Sequence, residues 1–306
     1  MMLVTGATGF LGRALLAALM ERHPGNQPAI RVLARNPQAV PAWWKVDVVA
    51  GDIRDFEAVD LAVRGCDQII HLAGLTHARS ATQYHAVNTE GTRILVNASR
   101  RHGIRRLVLV STRAIDSAGG GYSLSKHRAE QLVAQSIEDF VIVRLGEVYG
   151  DLGGGGIADL IAWLRCHWWV PVIGRGNYEL MPLHVDDAAA AIIGALEQGV
   201  KGHTYTMTGP ESVTYNQLVD SIAQALQVRR VKIHLPTWLA HAGVRVIARF
   251  PSSRLAYDQV TRLVSPKSLM SPKTPETLGL TLRRFSSELP NLVARAQGSE
   301  DIVSRR

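Results

Sequence analysis

The chain has 306 residues, of which 46% are hydrophobic and 20% charged, so it has room for one large domain or two modest ones. Its net charge is +8 at pH 7, but the basic residues are scattered and lack the interleaved aromatic residues of a nucleic-acid-binding groove. Its two cysteines, Cys66 and Cys166, are too few for a disulfide framework and are typical of a reducing compartment.

The first predicted unit is a strand, a glycine-rich turn and a helix. A short apolar run, 1–4, precedes Gly6, Gly9 and Gly12, and a helical pattern of leucine and alanine follows over 13–20. Glycine has no Cβ and tolerates positive φ, so such a turn lets backbone approach a pyrophosphate at a helix N-terminus. The spacing predicts a dinucleotide site, and a bare turn without a ligand is the alternative.

Strands and helices alternate through the first half of the chain. Predicted strands after the first cover 29–34, 46–50, 68–74, 107–111 and 140–145. This alternation predicts an α/β fold, a Rossmann-type doubly wound parallel sheet, over residues 1–150. The first helix is expected to end at 23–25.

After Gly150 the pattern loosens into a smaller mixed region, 151–306, which we expect to shape a substrate pocket. An N-capped helix is predicted after Asp186 and Asp187, and the chain is expected to return to the sheet around 183–209. An amphipathic helix over 214–227, a strand over 231–235 and a proline-rich helical tail complete the prediction.

The residues with the clearest chemistry follow the fifth strand. Ser111 and Thr112 end that strand, and Tyr122 and Lys126, four residues apart, share one face of the next helix. An ammonium about 4 Å from a phenol lowers the phenol's pKa by about three units at an intermediate dielectric constant. Tyr122 is therefore predicted to exchange a proton near neutral pH, while a hydroxyl at the strand end orients the substrate oxygen.

Together these motifs resemble the short-chain dehydrogenase/reductase superfamily, in its extended epimerase/dehydratase branch. The matching segments, in chain order, are TGATGFLG (5–12), GDIRD (51–55), HLAG (71–74), VNTEGT (87–92), YSLSK (122–126), RLGEVYG (144–150) and LHVDDAA (183–189). Further segments, 206–218, 258–263 and 276–280, are most similar to the subgroup related to the 39-kDa accessory subunit of respiratory complex I. The resemblance covers nearly the whole chain.

The resemblance implies roles for particular residues. Thr112 matches the catalytic serine or threonine, Tyr122 the acid/base, and Lys126 its partner; Tyr122 and Lys126 also contact the cofactor. The other residues implied to bind the cofactor are Gly6, Gly9, Phe10, Leu11, Gly12, Asp52, Ile53, Leu72, Ala73 and Gly74.

Three departures from the family pattern bear on ligands. At the end of the second strand, Ala34 replaces the acidic residue that selects NAD in the family, and Arg35 follows it. The guanidinium of Arg35 suits a 2′-phosphate, so we expect NADP, with NAD as the alternative. Only nine residues separate Thr112 from Tyr122, which predicts a more open pocket. The arginine that grips a substrate diphosphate is missing, and Arg175 is a candidate substitute.

The leading hypothesis is an NAD(P)-dependent oxidoreductase or epimerase that transfers hydride at a carbinol carbon, its substrate a nucleotide sugar. The alternatives are a non-catalytic dinucleotide-binding scaffold or redox-sensing subunit, and a hydroxysteroid-like dehydrogenase of a hydrophobic alcohol. The last would use the tryptophans near Cys166, although packing of a helix is the commoner explanation for them.

We expect a small-molecule substrate, no nucleic-acid partner and no metal, with a homodimer left open. The histidines His71, His77 and His85 lack the spacing of metal ligands. The chain enters its first strand without a secretory signal, and its longest uncharged apolar run, 188–196, is too short to span a bilayer. The expected location is therefore cytoplasmic, without an integral membrane segment.

Overall fold

The computed structural model describes residues 1–22, 29–115, 120–150, 155–240 and 274–303. The strands are β1 (Met2–Thr5), β2 (Ile30–Ala34), β3 (Asp47–Ala50), β4 (Gln68–His71), β5 (Arg106–Thr112), β6 (Phe140–Leu145), β7 (Val148–Tyr149), β8 (Trp169–Ile173), β9 (Glu179–Leu180), β10 (Leu183–His184), β11 (His203–Met207), β12 (Val213–Thr214) and β13 (Val231–Leu235). The helices are α1 (Phe10–Arg22), α2 (Phe56–Val63), α3 (Ala81–Tyr84), α4 (Gly91–Arg101), α5 (Gly120–Ser136), α6 (Gly156–Cys166), α7 (Val185–Glu197), α8 (Tyr215–Ala225), α9 (Thr274–Thr277) and α10 (Phe285–Val303).

The main sheet of the described residues has seven strands in the order β11-β6-β5-β4-β1-β2-β3, and all its pairs are parallel. The strand order reverses at β1, which lies between β2 and β4. In open parallel sheets, ligands bind outside the carboxyl ends of the strands at such a reversal. The predicted Rossmann-type sheet is confirmed, and it places the end of β1 at the centre of the binding edge.

Helices cover both faces of this sheet, because neighbouring residues of each strand point to opposite sides. On one face Val4 of β1 packs in a cluster with Leu15 of α1 and Ile192 of α7. On the other, Leu3 joins Leu95 of α4 and the buried residues of α2 and α5. The strands are therefore buried on both sides, as the apolar runs in the sequence predict.

Several predicted boundaries shift for local reasons. Helix α1 begins at Phe10, because the turn closes with a bond from the Gly9 amide to the Gly6 carbonyl at 3.1 Å. Its predicted end at 23–25 lies outside the described residues. The prediction that Asp186 and Asp187 precede α7 is wrong: both lie in its first turn, and His184 is the N-cap, its side chain accepting from the Asp186 amide at 3.2 Å.

The helical stretch between β4 and β5 is not uniform. A π-helical segment, His85–Glu90, joins α3 to α4 within one continuous helical stretch. Extra residues of this kind are frequent at functional sites because they redirect side chains. Here the segment carries Asn88, which is 1% exposed.

A third apolar cluster links the elements that follow β7. Helices α6, α8 and α10 share buried residues including Ile161, Ile222 and Phe285. Two-stranded pairs, β7 with β10, β9 with β12 and β8 with β13, connect these helices. Strand β11 pairs with β6 in the main sheet. Of the predicted proline-rich tail, residues 241–273 lie outside the described residues.

No helix in the described parts of the chain combines the length and apolarity needed to cross a lipid bilayer.

Candidate active site

The glycine turn is shaped by contacts that exclude side chains. Gly6 has φ +76°, and a Cβ there would lie 2.7 Å from the Ala73 amide nitrogen. A Cβ on Gly12 would lie 2.3 Å from the Gly6 carbonyl oxygen. Helix α1 therefore packs against backbone of the turn, and its first amides point toward the carboxyl end of β1.

A cavity of about 610 Å³ opens at this edge of the sheet. It collects the sequence-predicted residues Gly6, Gly9, Phe10, Leu11, Gly12, Leu72, Gly74, Thr112, Tyr122 and Lys126. These residues come from the ends of β1, β4 and β5 and from α1 and α5. The topology thus brings the glycine turn and the predicted catalytic group into one space.

Lys126 is held at the floor of the cavity. Its ammonium donates to the Val110 carbonyl oxygen at 2.7 Å, and the side chain is 8% exposed overall. Burial lowers the pKa of Lys126 to about 8, with the charge of Glu130 acting in the opposite direction. Tyr122, also 8% exposed, packs edge-on against the ring of Tyr84 at 5.6 Å between centroids.

The two hydroxyls at the end of β5 differ in their bonding. Thr112 Oγ1 accepts from the Ala114 amide at 3.2 Å, and Ser123 donates to the Ala114 carbonyl at 2.5 Å. Ser111 Oγ is buried, lines the cavity and has no hydrogen-bond partner among the described residues. Both hydroxyls therefore reach the cavity wall.

Asn88 is a site residue to which the sequence analysis assigned no role. Its side-chain oxygen accepts from the Leu75 amide at 2.7 Å, and its amide group donates to the Leu75 carbonyl at 3.1 Å and to Ser125 Oγ at 3.0 Å. It therefore ties the loop after β4 to α5, one residue from Lys126. The presence of Asn88 in the family segment VNTEGT (87–92) was the sequence signal for a role at the site. The sequence does not reveal that a π-helical segment turns the Asn88 side chain inward.

A buried polar chain lies beneath the glycine turn. His71 pairs with Thr5 Oγ1 at 2.7 Å and with Thr92 Oγ1 at 2.9 Å, while Thr92 donates to the Asn88 carbonyl at 2.6 Å. Burial, with the charge of Lys126 adding to it, lowers the pKa of His71 to about 3. A neutral His71 thus links β1, β4 and α4. In the described chain no cluster of three or more candidate ligands suits a metal ion.

The remaining predicted cofactor residues lie beside the cavity and do not line it. The Ala73 amide donates to Thr5 Oγ1 at 3.3 Å, and Ile53 is buried against Gly91. Asp52 is paired with Arg54 at 2.8 Å, and this hydrogen bond is the main cause that lowers the pKa of Asp52. The positive charge of Arg35 lowers the pKa of Asp52 further, but by less. Arg35 itself is exposed next to the carboxyl end of β2.

The far end of the cavity is mostly apolar, and the sequence analysis did not identify its residues. They come from α6, β9 and α8 and are Ile157, Leu160, Leu180, Tyr215 and Leu218. One polar pair interrupts them: Arg113, 4% exposed, donates to Glu147 at 2.8 Å. Arg175, the candidate diphosphate ligand, is exposed and is not among the lining residues.

Comparison with known proteins identifies the family. Residues 2–207 match the model of the NAD dependent epimerase/dehydratase family. The chain belongs to this family of NAD-dependent oxidoreductases, epimerases and dehydratases, as its motifs predict.

Three known proteins illustrate the range of that family. A ceramide reductase of Caulobacter vibrioides is 32% identical over 76% of this chain and 73% of its own length. A mitochondrial NADH dehydrogenase alpha subcomplex subunit 9 of Dictyostelium discoideum is 27% identical over 72% of this chain and 62% of its own length, in agreement with the predicted subgroup. The UDP-glucose 4-epimerase of Thermus thermophilus, solved with NAD, has a TM-score of 0.73 and 22% identity, covering 97% of this chain and 99% of its own, and shares the fold.

The described residues fit a nicotinamide dinucleotide. The cradle of Gly6, Gly9 and Gly12 has no room for a Cβ at its first and third glycines, and it opens into the cavity at the N-terminus of α1. Such a terminus binds a pyrophosphate through amide groups and the helix dipole. The same cavity is lined by Leu72, Gly74, Tyr122 and Lys126, so the glycine cradle and the predicted catalytic residues border one space.

Proposed function

We propose that this protein is a nicotinamide-dependent oxidoreductase that interconverts a carbinol and a carbonyl group on a bulky, predominantly apolar molecule. One observation carries the proposal: a single cavity joins the glycine turn, the Thr112, Tyr122 and Lys126 side chains, and an apolar wall. The membership of the chain in a family of oxidoreductases, epimerases and dehydratases supports the reaction class.

The chemistry assigns one task to each polar group. The cofactor, when bound, supplies or accepts the hydride. Tyr122 donates a proton to the carbonyl oxygen during reduction and accepts it from the hydroxyl during oxidation. Protonated Lys126, held by the Val110 carbonyl, favours the ionised phenol, and Thr112 orients the substrate oxygen. Because burial brings the pKa of Lys126 to about 8, this assistance weakens as the pH rises above that value.

The lining of the far end supports an apolar substrate over a nucleotide sugar. Leu160, Leu180 and Leu218 would contact a ligand through carbon atoms only, whereas a sugar diphosphate requires several charged or hydrogen-bonding partners. Arg175, the candidate for that role, does not line the cavity. The ceramide reductase relative, named for a lipid substrate, agrees with this choice.

NADP is the proposed cofactor. Ala34 offers no acceptor for a ribose 2′-hydroxyl, and Arg35 follows it at the strand end that faces Asp52. A guanidinium in this position can pair with a 2′-phosphate.

The test is an assay of NADPH oxidation with a panel of long-chain and polycyclic ketones, alongside assays of NADP+ reduction and of epimerisation with UDP-glucose. We expect turnover of an apolar ketone, and a fall in kcat of about 100-fold or more in Tyr122→Phe with cofactor affinity retained. Tyr149→Phe is the matched control, since Tyr149 is 1% exposed, lies outside the cavity lining, and has a hydroxyl without a partner among the described residues. Full turnover by Tyr122→Phe would contradict the acid/base role of Tyr122, whereas no turnover by the intact, cofactor-bound wild-type protein would leave the scaffold hypothesis.

A further inference from the structure

One surface of the C-terminal region is apolar and only partly covered among the described residues: Ile173 packs against Ala240, and Trp169 packs edge-on against Trp163. Strands β8 and β13 form a parallel pair in which Trp169 is opposite Val231, Pro171 opposite Ile233, and Ile173 opposite Leu235. Directly paired residues of a sheet share a face, so these six side chains form one surface, which we call the apolar ribbon face. It is made of Trp169, Pro171, Ile173, Val231, Ile233 and Leu235.

Burial along β8 shows that this face is the outer one of that strand, whereas β13 is exposed on both faces, at Ile233 and at His234. Val170 and Val172, which point the other way, are at most 1% exposed. On β13, Val231 is 56% exposed and Ile233 is 38% exposed. Both are uncharged residues of high strand propensity. An edge strand with exposed branched residues is normally protected by charge or covered by another element.

Two exposed tryptophans flank the strand pair, one next to each end of the apolar ribbon face. Trp168 is 67% exposed, and its carbonyl accepts from the Val231 amide at 3.1 Å. Trp238, 69% exposed, lies in the turn after β13, in which the Leu239 amide donates to the Pro236 carbonyl. Exposed tryptophans grouped with aliphatic residues are typical of protein surfaces that enter the interfacial region of a lipid bilayer.

The charges around this face favour an anionic partner. Arg229 and Arg175, both exposed, lie two residues before β13 and two residues after β8. Apolar side chains flanked by exposed arginines match the requirements of peripheral binding to an anionic membrane.

We propose that the apolar ribbon face, with Trp168 and Trp238, docks the protein peripherally on the surface of an anionic phospholipid bilayer. The tryptophans and Ile233 enter the headgroup region, while the arginines contact lipid phosphates. This contact is independent of the proposed reaction, because none of these residues lines the cavity. Docking on the bilayer would place an enzyme that acts on apolar substrates next to the lipid phase in which those substrates dissolve.

The test is flotation of the full chain with vesicles of phosphatidylcholine alone and with added phosphatidylglycerol. We expect binding to the anionic vesicles, weakened by salt, and a loss of about tenfold or more in the double variant Trp168→Ser with Trp238→Ser. Trp43→Ser is the matched control, because Trp43 is equally exposed, at 67%, but lies between β2 and β3. Unchanged binding of the double variant, or equal loss in the control, would overturn the proposal.

A second measurement separates the bilayer from other occupants of this face. An environment-sensitive dye on Ile233→Cys, in a Cys166→Ser background, should report water in the free protein and an apolar environment after anionic vesicles are added. An apolar signal before lipid is added, unchanged by vesicles, would mean that another part of the chain or a second copy covers the face, and would overturn the proposal. Ultracentrifugation of the double variant then distinguishes these two cases. Cofactor titration and ketone reduction should be unaffected by either tryptophan change.

Discussion

The two ends of the cavity are constructed by different means. At the cofactor end, backbone forms the surface: the turn at Gly6 and Gly12 excludes any Cβ, and buried polar bonds of His71 hold the strand ends beneath it. At the substrate end, the surface consists of side chains such as Leu160 and Leu218, carried by elements that share a separate apolar cluster. A backbone surface tolerates little change, whereas a side-chain surface can be altered without loss of the fold.

The largest effect should follow Gly12→Ala. The new Cβ would lie 2.3 Å from the Gly6 carbonyl and 2.6 Å from Ala7 Cα, so helix α1 must move away from the turn. We expect the free energy of unfolding to fall by about 3 kcal/mol and cofactor binding to be lost. Urea denaturation and NADPH titration measure the two effects.

Gly9→Ala is the control for this change, because its Cβ would meet only the Gly6 carbonyl, at 3.3 Å. Its stability should fall by less than about 1 kcal/mol. If Gly12→Ala were as stable as Gly9→Ala, the cofactor end would not depend on close backbone packing.

The next effect is a pH dependence that belongs to the cofactor end. The pKa of His71 is about 3 in the folded protein and about 6.5 when unfolded, so below pH 6.5 the unfolded chain binds the additional proton. Stability should therefore fall as the pH decreases, by about 2 kcal/mol between pH 7 and pH 5 from this residue. Urea denaturation of wild type and His71→Gln at both values isolates the contribution.

An exposed histidine gives the comparison for that experiment. His234→Gln should retain the full acid sensitivity of wild type, since His234 lies on the surface of β13. Equal pH dependence of wild type and His71→Gln would contradict the assignment of His71 as a neutral buried group.

A smaller effect, mainly on substrate binding, should follow Leu160→Asn, with a modest loss of stability because Leu160 also belongs to the third apolar cluster. The asparagine side chain has the same branched heavy-atom arrangement as leucine but is smaller, and it places a polar group in the apolar wall, which should raise KM for an apolar ketone about tenfold. The dissociation constant for NADPH should change by less than about twofold, because Leu160 lies in α6, away from the glycine turn. Leu160→Met, which keeps the wall apolar, should behave as wild type. A parallel rise in both constants would mean that the two ends are not independent.

The smallest effect concerns cofactor choice. Arg35→Ser should weaken NADPH binding by about fivefold, because the lost ion pair is exposed to solvent, while NADH binding stays unchanged. Fluorescence titration with both cofactors measures the ratio. A preference of the wild-type protein for NADH would contradict the expectation for Arg35.

The sequence analysis was accurate where local patterns are sufficient. The β6 and β13 boundaries, 140–145 and 231–235, were predicted without error, and the order of strands and helices led to the parallel sheet. The first helix start and the cap of α7 were wrong by several residues, since these depend on the hydrogen bonds of Gly9 and His184. The roles of Thr112, Tyr122 and Lys126 stay predictions until the variants are measured.

The substrate end illustrates what local patterns cannot show. Ile157, Leu180 and Leu218 are ordinary core residues by sequence, and only the packing of α6, β9 and α8 makes them a cavity wall. The Arg113 and Glu147 pair joins residues 34 positions apart, which no spacing motif predicts. The inward position of Asn88 likewise depends on a π-helical segment.

By itself the amino-acid sequence determined the family, the parallel sheet and the glycine turn, because these follow from short-range periodicity and from glycines whose backbone no other residue can adopt. The tertiary structure alone decided which apolar side chains face the cavity and which, on β8 and β13, remain exposed. The physical reason is that burial is a property of the packed whole: a leucine is equally apolar in a core, a pocket wall or an open surface, and only its neighbours distinguish the three.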